Sequence, residues 1–136
     1  GMTTALQDEV AAFYAHYLAA WNNRDYAALA DCFALPATFV STVGTVCSSD
    51  RTKLLLQLER TFDRLEADGF DHSELGSLET RRCGEGLAVA DASAVRRLRA
   101  DGSLQECIDA HYVLRREPAG WRFVISMSCT PGWRQV

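Results

Sequence analysis

Residues 17–44, YLAAWNNRDYAALADCFALPATFVSTVG, carry the transition on which the fold turns. The tail of an aromatic helix gives way to the polar pair Asn22-Asn23, and a short second helix follows before Pro36 ends helical structure. Proline pushes the residue before it out of the helical region, so ATFVSTV (37–43), rich in β-branched residues, reads as a strand. Tyr17 and Trp21 stand one helical turn apart, and the strand after the break returns towards them. Two such elements are expected to form facing walls of a ligand pocket.

Upstream of the break, Leu6, Val10, Phe13, Tyr14, Tyr17, Leu18 and Trp21 recur at helical spacing and make one apolar face. Thr4 with Gln7 three residues later fits a capping box. Asp25 suits the N-cap of the second helix, expected to run through Phe33. Ser49-Asp50 can cap a third helix whose core face is Leu54, Leu55, Leu58, Phe62 and Leu65, with Gly69 at its stop.

From residue 70 the pattern becomes that of strands, at 71–82, 86–99, 103–116 and 121–129. Gly84-Glu85-Gly86, Asp101-Gly102 and Pro118-Ala119-Gly120 supply the turns between them. Three N-terminal helices ahead of a mostly antiparallel meander define an α+β class, with the helices packed on one face of a curved sheet. Alternation puts Leu104, Ile108, Ala110, Tyr112 and Leu114 inward on one strand, and Trp121, Phe123, Ile125 and Met127 inward on the last. Asp109, His111 and Val113 then share the other face, unless a bulge inverts part of the pattern.

The chain has 136 residues, 48% hydrophobic and 24% charged, which suits one domain. That domain is expected to span residues 2–136, with Gly1 read as a tag remnant. A net charge of −4 without any basic stripe argues against nucleic acid as a partner. No apolar run approaches the roughly 18 residues needed to span a bilayer, and no signal-peptide layout opens the sequence, so a cytoplasmic location is expected. The five cysteines are scattered, with no C-x-x-C and no Cys/His spacing suited to zinc. They read as reduced thiols, and neither metal nor cofactor is expected.

The order of helix, A-W-N-x-x-D, short helix, F-x-x-P-A-T-F, strand, third helix and a meander ending G-W-R-F resembles the nuclear transport factor 2-like superfamily. Its SnoaL-like branch, with the polyketide cyclases, and ketosteroid isomerase are the nearest-looking relatives. The resemblance covers roughly residues 6–129. It implies a cystatin-like cone whose helices and concave sheet enclose an apolar pocket. It also implies a homodimer through the outer sheet face, where Val113 and Val124 are candidates. Such folds host isomerases, cyclases, dehydratases and pure binders, so fold alone does not name an activity.

Set beside the isomerase, Tyr17 matches the tyrosine that donates to the substrate oxyanion, and Trp21 falls on an apolar pocket wall. The position of the carboxylate general base falls on Ser41. A serine hydroxyl with no base beside it cannot take a carbon-bound proton at neutral pH, so ketosteroid isomerase activity is excluded. For the isomerase's second acid two placements compete, Asp109 and Tyr112. Asp109 and His111 are the adjacent carboxylate–imidazole pair of the chain and, with Tyr17 as hydrogen-bond donor, the candidate catalytic set. Tyr14, Tyr17, Trp21, Phe39, Ser41, Phe62 and Tyr112 are the candidate ligand-binding residues. The arginine runs Arg81-Arg82 and Arg96-Arg97 with Arg99 read as solvated cross-strand partners of Glu79, Glu85, Asp91 or Glu106.

Three readings of function follow. One is a protein that binds a small hydrophobic molecule. The second is a cyclase, isomerase or dehydratase acting on an enolisable carbonyl. The third is a ligand-free dimeric interaction module.

Overall fold

The computed structural model describes residues 4–135, so Gly1, read as a tag remnant, lies outside the described residues. Helix α1 (Ala5–Asn22) starts where local chemistry dictates. The Thr4 side chain accepts from the Gln7 N–H at 3.1 Å, and the Gln7 side chain accepts from the Thr4 N–H at 2.8 Å. Asp25 and Asp50 cap α2 (Tyr26–Asp31) and α3 (Arg51–Ala67) in the same manner, each accepting the N–H three residues on. Leu54, Leu58, Phe62 and Leu65 of α3 are buried, while Leu55 packs at the edge of the core.

One six-stranded sheet carries the rest, in the order β2-β1-β6-β5-β4-β3. Its strands are β1 (Phe33–Ser41), β2 (Gly44–Ser48), β3 (Phe70–Gly84), β4 (Leu87–Arg99), β5 (Leu104–Glu117) and β6 (Gly120–Cys129). All neighbours run antiparallel except β1 and β6, which are parallel. A short 3-10 turn, Trp133–Gln135, follows β6.

The second helix stops at Asp31, and β1 begins at Phe33, ahead of Pro36 rather than after it. Pro36 is accommodated because the β1–β6 pairing jumps from Phe33 to Thr38, leaving Pro36 in an interruption of the ladder where no N–H is needed. Strand β2 carried no turn signal in the sequence. Ser41 pairs with Gly44 across Thr42 and Val43, and neither of these residues advertises a hairpin.

Arg24, in the left-handed region at φ 54°, ties the end of α1 to the other layers. Its guanidinium donates to the carbonyls of Asn22, Asp71 and Phe70 and pairs with Glu66 of α3. It also lies 4.7 Å from the Phe70 ring centroid and 5.2 Å from that of Phe62. Asn22 adds a strand-like pair with Ser73, donating to its carbonyl and accepting its N–H.

Two bulges decide which side chains face the helices. On β4, Ala92 pairs with Ala110 and Val95 with Ile108, so Ser93 and Ala94 together oppose Asp109. Ala88, Ala90 and Ala92 face the core before this point, and Val95 and Arg97 face it afterwards. On β6, Phe123 pairs with Leu114 and Ile125 with Val113, so Val124 is the extra residue. Trp121 and Phe123 point inward as expected, but beyond the bulge Ser126 and Ser128 replace Ile125 and Met127 on the inner face. The expectation for β5 holds for Ala110, Tyr112 and Leu114, which are buried, and for the partly buried Ile108, but Leu104, beyond a second register shift, is exposed.

Ala94 takes a left-handed conformation at φ 54°, and the buried Asp109 carboxylate holds it there by accepting the Ala94 N–H at 2.9 Å. The other carboxylate oxygen accepts the Gly132 N–H at 2.8 Å, anchoring the chain after β6. Gly76 lies across β3 from this bulge. A Cβ placed there would meet the Ser93 carbonyl at 2.6 Å and the Ala94 Cβ at 2.8 Å.

Gly76→Ala and Asp109→Ala therefore act on the same bulge, and each is expected to lower stability by about 1–3 kcal/mol in denaturant titrations. Gly84→Ala, where a Cβ meets nothing within 4 Å, should stay within about 0.5 kcal/mol of the parent.

Candidate functional site

Between α1, α3 and the concave side of β1, β2, β4, β5 and β6 lies a cavity of about 220 Å³. Tyr17, Trp21, Phe39, Ser41 and Tyr112, all expected to bind ligand, line it. Two others take different places. Phe62 is fully buried behind Trp21, with ring centroids 4.5 Å apart, and does not reach the cavity. Tyr14 stands behind Tyr112, and their hydroxyls are 3.1 Å apart.

The helical spacing 14, 17, 21 puts three aromatic side chains along one face of α1. That face packs on the sheet through Phe123, whose ring centroid lies 4.8 Å from that of Tyr17 and 4.5 Å from that of Tyr112. The hydroxyls of Tyr14 and Tyr112 pair at 3.1 Å, and the Tyr17 ring packs beside them, its centroid 5.5 Å from that of Tyr14 and 6.5 Å from that of Tyr112. Burial raises the pKa of all three, because an ionised phenolate there would lose its hydration. The positive charge of Arg97 opposes that rise at each of them.

Arg97 had no distinguishing mark within its run of arginines. The β4 bulge brings it onto the cavity wall, where its guanidinium lies 5.7 Å from the Trp21 ring centroid and pairs through Nη1 with Glu106. Gln57, Thr61 and Arg64 of α3 and Ser126 and Ser128 of β6 complete the polar part of the lining. Two donors at this wall have no hydrogen-bond partner among the described residues, Trp21 Nε1 and Arg97 Nε. A buried donor left unmatched costs about 1–3 kcal/mol.

Asp109 and His111 do not meet Tyr17. Both lie on the outer sheet face, as the alternation of β5 requires. The pair itself does not form either. His111 Nδ1 bonds to Asp91 Oδ1 at 2.8 Å, while Asp109 is committed to the backbone of Ala94 and Gly132. Trp133 stacks edge-on to His111, and Arg134 bridges Asp91 and Glu79. Of the two placements for a second acid, Tyr112 is the residue inside. Ser41 sits at the cavity, and its Oγ accepts the Val43 N–H at 3.3 Å. Among the described residues no cluster of three His, Cys, Asp or Glu side chains could hold a metal, and no helix is long and apolar enough to cross a membrane.

Residues 8–131 match the model of the NTF2-like protein family DUF6841. The chain belongs to this family. No curated protein matches it. Its backbone is similar to several solved structures. An NTF2-like protein with a cystatin-like fold from Novosphingobium aromaticivorans superposes with a TM-score of 0.72 at 23% identity, covering 91% of this chain and 80% of that one. Aln2 from a Streptomyces species gives 0.78 at 16% identity, covering 95% and 93%. ActVI-ORFA from Streptomyces coelicolor gives 0.75 at 20% identity, covering 92% and 97%. At these identities the likeness establishes the cystatin-like fold of this NTF2-like chain, and the chemistry has to be read from its own cavity.

The raised tyrosine pKa values carry a sign. Their contribution to stability is complete below about pH 10, where the unfolded chain also keeps its phenol protons, and it is lost as pH rises further. Phenolate absorbance should accordingly show Tyr14, Tyr17 and Tyr112 silent through the ordinary tyrosine range and ionising together with alkaline unfolding. Tyr112→Phe should weaken that coupling.

Proposed function

We propose that this NTF2-like protein binds a small, largely apolar molecule between its helices and its sheet. The supporting observation is the cavity, walled by Phe33, Phe39, Leu58, Ile108 and Ala110 and lined also by Tyr17 and Tyr112. An engineered cavity of about 150 Å³ in an apolar core is enough to take up benzene, so roughly one or two rings fit here. Apolar side chains joined by convergent polar groups, here Arg97, Ser126 and Ser128, are the make-up of a small-molecule site.

Binding is favoured over proton-transfer catalysis by the lining itself. Tyr17 and Tyr112 could donate to a carbonyl oxygen. Among the described lining residues, however, no carboxylate, imidazole or thiol stands beside them to take a proton from carbon. The ligand-free module is disfavoured because Trp21 and Phe62 pack on each other, and the Trp121 indole turns away to donate to Glu9 at 2.9 Å. The space between helices and sheet stays open.

Titration with 2-acetonaphthone, followed by tryptophan fluorescence and calorimetry, tests the reading. Saturable single-site binding with the ketone recovered unchanged is the expected result. Ser126→Trp, which fills the cavity, should weaken it roughly tenfold or more. Failure of 2-acetonaphthone, 2-naphthamide and 2-naphthoate alike to bind would overturn it. Conversion of the ketone would replace it with the enzyme reading.

A further inference from the structure

We infer that the ligand of this cavity carries a carboxylate, received by Arg97 and Trp21. The inference rests on the binding reading above and specifies the chemical class of the molecule bound.

Three observations carry it. The first is the pair of unmatched donors. Trp21 is only 8% exposed, and its indole N–H has no partner among the described residues, nor has the Nε–H of Arg97 beside it. Both residues belong to the cavity wall, and the guanidinium lies 5.7 Å from the indole ring centroid. Two donors without acceptors, on residues that share one wall, invite an acceptor that comes from outside the chain once the side chains turn towards it.

The second is how the guanidinium is engaged. Glu106 contacts it through Nη1, which leaves the Nε edge uncommitted. A guanidinium presents parallel N–H bonds that match the two oxygens of a carboxylate, and the flat, charge-assisted pair that results is stronger than a bond between neutral groups. A ketone or amide oxygen would need no fixed charge, since the hydroxyls of Tyr17 and Tyr112 already suit it.

The third is the charge of the wall. Its ionisable residues are Tyr17, Tyr112, Arg64 and Arg97, and burial keeps both phenols protonated. Glu106 lies outside the lining, with its side chain 43% exposed, and screens Arg97 in part. Two cations and no anion line the space itself, which suits a singly charged acid with an apolar body.

The bulge links this site to the architecture. Without the extra residue on β4, strand parity would send Arg97 to the outer face alongside Asp91. Asp109, which holds Ala94 in its left-handed turn, is thereby a positioning residue for Arg97.

The test compares 2-naphthoate with 2-naphthamide, which share one body and differ in charge. The parent protein should prefer the acid by roughly tenfold or more, Arg97→Gln should abolish that preference, and the amide should bind the variant within about threefold of the parent. Arg97→Lys, which keeps the charge but loses the fork, should restore only part of it. Trp21→Phe keeps the ring and removes the N–H. It should weaken the acid several-fold more than the amide, and it serves if Arg97→Gln fails to fold. Equal affinity for the two compounds, or a preference that survives Arg97→Gln, would overturn the inference while leaving the binding reading intact. Failure of both compounds and of the ketone to bind would instead remove the binding reading itself.

Discussion

The carboxylate of Asp109, buried in the sheet and accepting backbone N–H groups from Ala94 and Gly132, sets which side of β4 meets the helices. Its two oxygens address two places in the chain. One fixes an extra residue in the strand, and the other fastens the segment after β6. Past the bulge Val95 and Arg97 take the inner face, so a bond on the outside of the sheet determines what lies inside. The Val124 bulge does the same for β6, exchanging Ile125 and Met127 for two serines. An apolar core of the sort the alternation implies becomes a cavity with polar corners.

The local parts of this fold were legible in the sequence because their causes are local. Thr4, Asp25 and Asp50 cap helices with their own side chains, and each needs nothing beyond three residues of neighbouring backbone. The strands β3 to β6 were legible to within a few residues, while β2 was not, having no turn signal ahead of it. The bulges were not. Ala94 and Val124 look like ordinary strand residues, and what displaces them is the cross-strand register, with Asp109 as the agent for Ala94. Arg97 was therefore hidden, being indistinguishable within its run until the strand is bent. Asp109 was visible as a polar residue among apolar neighbours, but its ordinary chemical association with a nearby histidine pointed to catalysis. Geometry gives His111 to Asp91 and leaves Asp109 to the backbone. The facing walls of the cavity, Tyr17 and Trp21 against Phe39 and Ser41, were legible because helical spacing and the break at Asn22-Asn23 place them directly.

The cavity of this cystatin-like scaffold sets hydrogen-bond donors on one side and a wall without a carboxylate on the other. Tyr17 and Tyr112 line it, with Tyr14 paired to Tyr112 from behind, while the strand facing them offers the hydroxyl of Ser41. Donors without a base can hold a molecule but cannot exchange its carbon-bound protons. A fixed charge stands beside those hydroxyls. Arg97 lies near enough to oppose the rise in all three tyrosine pKa values, so it belongs electrostatically to the same group.

Arg24 joins the carbonyl of Asn22, the start of β3 and Glu66 on α3 through one guanidinium, which also lies over Phe62 and Phe70. A helix fastened in this way cannot swing its last turn outward by itself, because Trp21 is one turn from the knot. Loosening that wall means parting α1, α3 and β3 at once, a collective event with a high barrier. The other rim is held less, and there the hairpin of β1 and β2 carries Val43 almost wholly in solvent, at 93% exposure. The molecule thus has a knotted end, fastened by Arg24, and an exposed end at the β1–β2 hairpin.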